Sequence, residues 1–98
     1  MKVFLSHKMT GCSEEEVLKI REEATEYLKS KYDNVEIIDN YNHTDAPENA
    51  GRLWHLGTSI RQMEEADAIY FVEGHWKRAR GCVIERYICH LYNLKVIM

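Results

Sequence analysis

A chain of 98 residues is long enough for one domain with a single core, and its 45% apolar and 30% charged residues are ordinary for a folded domain. The net charge of −3 at pH 7 and the absence of a Lys/Arg stripe argue against a nucleic-acid partner. The apolar opening MKVFLS is too short for a signal peptide or a membrane span. We therefore expect a cytoplasmic domain over residues 1–98 with no membrane partner.

The cysteines and histidines indicate neither disulfides nor a metal centre. Cys12, Cys82 and Cys89 are an odd number of cysteines without a CxxC pair, which is typical of free thiols in a reducing compartment. The five histidines show no recognisable ligand spacing. We expect buried, unreactive thiols at 82 and 89, no metal ion and no cofactor.

Hydrophobic periodicity predicts seven elements in chain order. Strand-like runs cover residues 2–6, 35–38, 68–72 and 95–98, and helical patterns cover residues 14–31, about 53–65 and 80–92. Ser13 and Glu16 form a capping box at the first helix, and Ile84, Ile88 and Leu91 mark one face of the third. Strict alternation predicts an α/β single-domain, flavodoxin-like or Rossmann-like three-layer sandwich. Its four-stranded parallel sheet has the expected strand order 2-1-3-4.

The loops that follow the strands are the expected ligand site, because ligands bind beyond the carboxyl ends of parallel strands. Three predicted loops meet there, over residues 7–12, 39–51 and 73–80. Ser6, Thr10 and Gly11 suit a turn that faces phosphate or sugar, although the sequence contains neither GxGxxG nor GxxxxGK[ST]. The one basic cluster, KRAR at residues 77–80, is large enough to hold a single phosphate.

Glu85 is the best candidate for a reactive residue. Gly81 permits close approach of a ligand to the start of the third helix, whose free amides favour an anion. Glu85 lies one turn further on and can lean back towards the crevice. The alternative is a solvent-facing glutamate paired with Lys or Arg. Trp76 in the preceding loop either stacks on a nucleobase or serves as a hydrophobic plug or subunit contact.

Three segments together resemble the nucleoside 2-deoxyribosyltransferase-like family, particularly its short bacterial and phage members of unassigned function. The opening MKVFLSHKMTG is similar to the family's strand followed by Ser-Gly-Pro-Met-Thr-Gly. ADAIYFV (residues 66–72) and WKRARGCVIE (residues 76–85) complete the resemblance, the latter being similar to Trp-x-x-Ser-Arg-Gly-x-x-x-Glu. The resemblance covers nearly the whole chain.

The resemblance implies that Glu85 is a nucleophile, which attacks the anomeric carbon of a nucleoside or nucleotide and releases the base. It also implies a homodimer or larger homo-oligomer, because family members complete their sites from a neighbouring subunit. The ligand contacts it implies are Ser6, Met9, Thr10, Gly11, Trp76, Arg78, Arg80 and Gly81. The expected function is nucleoside or nucleotide binding, with cleavage or transfer of an N-glycosidic bond.

Four residues depart from the family pattern. Ser59 stands where the enzymes have a second acid, Ala79 replaces the motif serine, and His7-Lys8 replaces Gly-Pro. The missing acid at Ser59 favours the alternative of a non-catalytic binder that sequesters a nucleotide or NAD-derived signalling molecule. The opening VFLSH and the later Cys-x-x-Glu also resemble TIR domains, whose glutamate cleaves NAD, but the spacing from Trp76 to Glu85 fits the first family better.

Overall fold

A parallel sheet with helices on both faces forms the domain, as a computed structural model that describes residues 1–97 shows. The strands are β1 (Lys2–Ser6), β2 (Glu36–Ile37), β3 (Ala68–Phe71) and β4 (Val96–Ile97), and the helices are α1 (Glu14–Lys31), α2 (Arg52–Met63) and α3 (Arg80–Leu91). The predicted element order is therefore confirmed, with β2 shorter than expected. The predicted last strand ends at Met98, which lies outside the described residues.

The strand order is β2-β1-β3-β4, and each of the three neighbouring pairs is parallel. This confirms the predicted fold class and strand order. The chain leaves β1 towards β2 on one side and later returns to β3 on the other side of β1. The carboxyl ends of β1 and β3 thus mark the position at which sheets of this kind bind ligands.

Alternate residues of β1 divide the core between the two faces of the sheet. Val3 and Leu5 pack with Ala24 and Leu28 of α1. Phe4 faces the other way and packs in a cluster with residues from α2 and α3. The next positions continue the alternation, so that Ser6 reaches α3 and the following His7 reaches α1. In residues 1–97 no helix is both long and apolar enough to cross a membrane.

The face of α3 predicted from Ile84, Ile88 and Leu91 is buried only in part, at Ile88, which is half-buried and packs against the cluster of Phe4. Ile84 and Leu91 are 42% and 60% exposed, whereas Cys82, Glu85 and Cys89 face the sheet. The small cysteine side chains allow α3 to lie close to the sheet, and Ser6 supplies a hydrogen-bond donor to the buried carboxyl. Tertiary contacts, rather than the pattern of its larger apolar residues, therefore decide which face of α3 is turned towards the sheet.

Candidate functional site

A buried hydrogen bond joins the end of β1 to the second turn of α3. The Ser6 hydroxyl donates to Oε1 of Glu85 at 2.8 Å, and the two residues are 1% and 6% exposed. Ser6 is the last residue of β1, and its side chain points to the α3 side of the sheet because of strand alternation. This geometry excludes the alternative that Glu85 is a solvent-facing helix residue.

Burial changes the protonation of this carboxyl. Desolvation raises the pKa of Glu85 to about 7, and the hydrogen bond from Ser6 opposes that rise because it favours the carboxylate. At neutral pH the group is therefore present in both its protonated and its ionised forms. A carboxyl in this state can accept a proton, donate one or attack an electrophilic carbon, each in a pH-dependent fraction.

The two cysteines of α3 flank Glu85 along the buried face of the helix. Cys82 and Cys89 are 4% and 2% exposed. Burial raises the pKa of Cys82 to about 11, and it also raises the pKa of Cys89. Both side chains are consequently neutral thiols at pH 7, without the thiolate that nucleophilic chemistry or metal binding requires.

The loop after β1 presents the other residues predicted from the opening segment. Gly11 has a φ of +80°, in the left-handed region that favours glycine, and the Cys12 amide closes the turn by donating to the Met9 carbonyl at 3.1 Å. Thr10 and Gly11 are exposed, and Met9 is half-buried. The loop therefore offers backbone and hydroxyl groups to solvent above the carboxyl edge.

The ligand contacts predicted in the loop between β3 and α3 and at the start of α3 differ in their surroundings. One is packed against the core, and the others are exposed or half-buried. The Trp76 indole packs on Phe71, with 5.1 Å between ring centroids and an interplanar angle of 55°, so that it plugs the core at this edge. Arg78 and Arg80 are exposed, and Gly81 is half-buried. The two guanidinium groups are thus free to meet a ligand, while the indole is already held by the protein.

The start of α3 keeps its amide donors free of side-chain caps. Ala79 is the N-cap and makes no side-chain capping bond, whereas Ser13 caps α1 fully. The first turn of α3 contains no acid and begins at Arg80. Free amides beside a guanidinium provide the donors and the positive potential that an anionic oxygen requires.

A polar network on the opposite side of β1 was not foreseen from the sequence. Arg21 Nη1 lies 3.0 Å from His7 Nε2 and 3.0 Å from Asn40 Oδ1, and Nη2 donates to the Ile38 carbonyl at 3.1 Å. A guanidinium cannot accept, so Nε2 of His7 is the acceptor and its proton resides on Nδ1, 3.1 Å from the Lys8 carbonyl. Burial lowers the pKa of His7, which keeps the ring neutral.

Two loops of the edge are also joined directly across the crevice. The Lys8 amide donates to the His75 carbonyl at 2.6 Å, which links the loop after β1 to the loop after β3. The third loop, over residues 39–51, is attached to α2 by a 2.8 Å contact between Nδ1 of His43 and Nδ1 of His55. All three loops at the carboxyl edge are thus held in place by hydrogen bonds. No spacing in the sequence indicates these tertiary contacts.

Ser59 of α2, which stands where the resembled enzymes have a second acid, is half-buried. Within residues 1–97, no group of three or more His, Cys, Asp or Glu side chains is arranged to hold a metal ion. No protein-family model matches the chain, and no curated protein is significantly similar to it.

Proposed function

We propose that this domain binds a nucleoside or nucleotide at the crevice between β1 and β3, and that Glu85 attacks its N-glycosidic bond. The observation that carries the proposal is the buried hydrogen bond from Ser6 to Glu85 at this edge. A carboxyl buried on a helix is expensive to keep unless it is hydrogen-bonded or used in chemistry. The similarity of residues 76–85 to a motif that ends in a nucleophilic glutamate supports the same role.

The proposed reaction begins with the ionised form of Glu85. Ser6 occupies Oε1, so Oε2 attacks the anomeric carbon, and the bond from that carbon to the base nitrogen breaks with its electron pair on the base. The base takes a proton from water, since Ser59 supplies no acid. Water or a second base then displaces Glu85 from the glycosyl ester and restores the carboxylate.

The same edge offers donors for the remainder of the ligand. Arg78, Arg80 and the amides at Gly81 suit a 5′-phosphate at the start of α3. Across the crevice, Thr10 and the backbone around Gly11 suit the sugar hydroxyls. The exposed Tyr87 and Tyr92 of the α3 region support a homo-oligomer as the functional form.

Binding without turnover is the second candidate function, and one observation favours it. Glu85 is 6% exposed, and Ser59 replaces the acid that would assist departure of the base. In a sequestering protein, Glu85 would accept a hydrogen bond from a ribose hydroxyl rather than form an ester. A hydrogen bond to a charged group contributes about 1.5–3 kcal/mol, or roughly one to two decades of affinity.

The wild-type protein and Glu85→Gln separate these functions. Each is incubated with nucleosides, 5′-monophosphates and NAD, free base is measured by chromatography, and binding is measured by thermal shift. If the protein is an enzyme, the wild type releases base and Glu85→Gln does not, although the variant binds the ligand almost as tightly as the wild type. If it is a sequestering protein, the wild type releases no base, and Glu85→Gln binds the ligand about ten- to a hundredfold more weakly than the wild type does.

The matched control is Glu64→Gln, which makes the same chemical change at an exposed residue at the end of α2 and should behave as wild type. Release of nicotinamide from NAD alone would identify the chemistry of the TIR resemblance instead. If no compound stabilises the wild type and none loses its base, the proposed function is wrong.

A further inference from the structure

The outer side of α3 carries a shallow surface groove that no other part of residues 1–97 covers. Trp76, Ile84 and Ile88 contribute to its lining, as do Arg86 and His90, and its volume is 630 Å³. The apolar residues on this side of the helix are unusually exposed: Val83 46%, Ile84 42%, Tyr87 63% and Leu91 60%. Apolar side chains gathered on one exposed helix face are typical of an interaction surface.

The segment that contains α3 carries mostly positive charges, and its Arg86 lines the groove. Residues 74–97 contain five of the 13 Lys and Arg residues of the chain but one of its 16 Asp and Glu residues. That one acid is Glu85, which is buried on the opposite face of α3. The whole chain carries −3, so the α3 side is a basic region on an otherwise acidic molecule.

The outer side of α1 has the complementary character. Leu18 is 50% exposed and lies within a shallow surface groove whose other lining residues are Glu14, Glu15, Lys19 and Glu22. The three acids are three or four residues from Leu18 and therefore surround it on one helix face. Because α1 and α3 cover opposite faces of the sheet, the acidic and the basic surfaces point away from each other.

We propose that copies of this chain associate head to tail, with the outer face of α1 from one copy seated in the α3 groove of the next. Leu18 would enter the apolar groove, and the acids around it would meet Arg86 and the neighbouring basic side chains. A symmetric contact between two α3 helices would instead place the basic residues of both copies against each other. A head-to-tail contact leaves one free surface at each end, so association continues into a ring or a filament.

Sedimentation velocity of the wild-type protein is the first test. The weight-average mass should rise with concentration beyond twice the 11.6 kDa of one chain. It should fall as salt is raised from about 0.1 M to about 1 M, over which the Debye length shortens from about 10 Å to about 3 Å. A monomer at every concentration, or an assembly that high salt strengthens, would overturn the proposal.

Two blocked variants determine which surfaces meet. Tyr87→Glu disables the α3 groove and leaves α1 intact, whereas the double variant Leu18→Lys, Glu22→Lys disables α1 and leaves α3 intact. Each should sediment as a monomer, and a mixture of the two should form a 1:1 complex that grows no further. All three substituted side chains are exposed, and circular dichroism verifies that the variants are folded.

Glu23→Lys is the matched control, because it makes the same charge change on α1 at an exposed residue outside the groove. It should assemble as the wild type does. A symmetric α3 contact predicts the opposite pattern, in which the α1 double variant still dimerises and the mixture gives no new complex. That pattern would replace the head-to-tail arrangement, and neither experiment depends on a nucleotide.

Discussion

The free energy of burying a carboxyl group depends on the hydrogen bonds that its neighbours donate to it. Among residues 1–97, Glu85 receives one hydrogen bond, from Ser6, and it shares the buried face of α3 with the thiols of Cys82 and Cys89. One neutral donor compensates only part of the desolvation of a carboxylate, which is why its pKa rises to about 7 rather than staying at 4.5. The protonated form is thus the one that the fold tolerates best.

This pKa predicts how Glu85 contributes to the pH dependence of stability. Because the folded chain binds the Glu85 proton more tightly than the unfolded chain, the contribution of Glu85 to the free energy of unfolding should be fully present below about pH 4.5, fall as the pH rises to about 7 and then level off. The difference corresponds to on the order of 3 kcal/mol for this one group. Glu85→Gln cannot ionise, so its stability should lack this fall.

Urea unfolding of both proteins between about pH 5 and about pH 8 measures the effect, and the quantity of interest is the difference between their curves. Other titrating groups contribute equally to both proteins and cancel. If the two curves run parallel, Glu85 does not have a raised pKa, and its buried hydrogen-bonded setting is not what controls its ionisation.

At the scale of the element, a local signal predicted where α1 begins, whereas tertiary contacts decide which face of α3 is buried. The capping box at α1 was confirmed, with Glu16 N donating to Ser13 Oγ at 3.1 Å and Ser13 N donating to Glu16 Oε1 at 3.2 Å. These contacts lie within four residues of sequence, so a pattern can encode them. The face of α3 depends instead on Ser6, which is 79 residues from Glu85 in sequence.

The candidate site likewise contains some residues that the sequence predicts and others that only tertiary packing brings together. Glu85, Gly81 and the loop after β1 follow from the order of the strands and from local sequence, and the structure brings Ser6 and Glu85 together at this edge. The Arg21 network could not be predicted, because an arginine on the pattern of an amphipathic helix is ordinarily a solvent-exposed residue. Only the packing of α1 against the sheet brings its guanidinium to His7 and Asn40.

Arg21→Met tests how far this network supports α1 and the short strand β2. The substitution keeps an unbranched apolar stem but leaves the acceptors at His7, Ile38 and Asn40 without their donor. We expect a loss of about 2–4 kcal/mol in the free energy of unfolding, since orphaned part-buried acceptors are costly. Lys19→Met is the control on the exposed side of α1 and should change stability by less than about 0.5 kcal/mol. Equal effects of the two would show that the network contributes nothing.

At the scale of the whole molecule, β1 joins two cores that otherwise lie on opposite sides of the sheet. Val3 and Leu5 belong to the cluster under α1, and Phe4 between them belongs to the cluster under α2 and α3. Neither cluster can lose its packing without releasing a strand that the other cluster needs. A domain of 98 residues built in this way should unfold as one cooperative unit.

Leu28→Ala is the sharpest probe of that cooperativity, because the residue is fully buried in the α1 cluster. Removing its side chain leaves a cavity and should cost about 2–5 kcal/mol. Both tryptophans of the chain, Trp54 on α2 and Trp76 beside Phe71, lie on the other side of the sheet. Their fluorescence should nevertheless shift to lower urea by the same amount as the far-ultraviolet circular dichroism.

Leu53→Ala provides the matched control, since it makes the same substitution at a leucine that is 81% exposed, and its unfolding midpoint should stay near that of the wild type. The measurements belong in dilute solution, where association between copies does not add to stability. A circular-dichroism transition that moves while the tryptophan transition stays in place would mean that the α1 side unfolds separately. In that case β1 would not couple the two cores, and the edge site that bridges β1 and α3 would persist after α1 had detached.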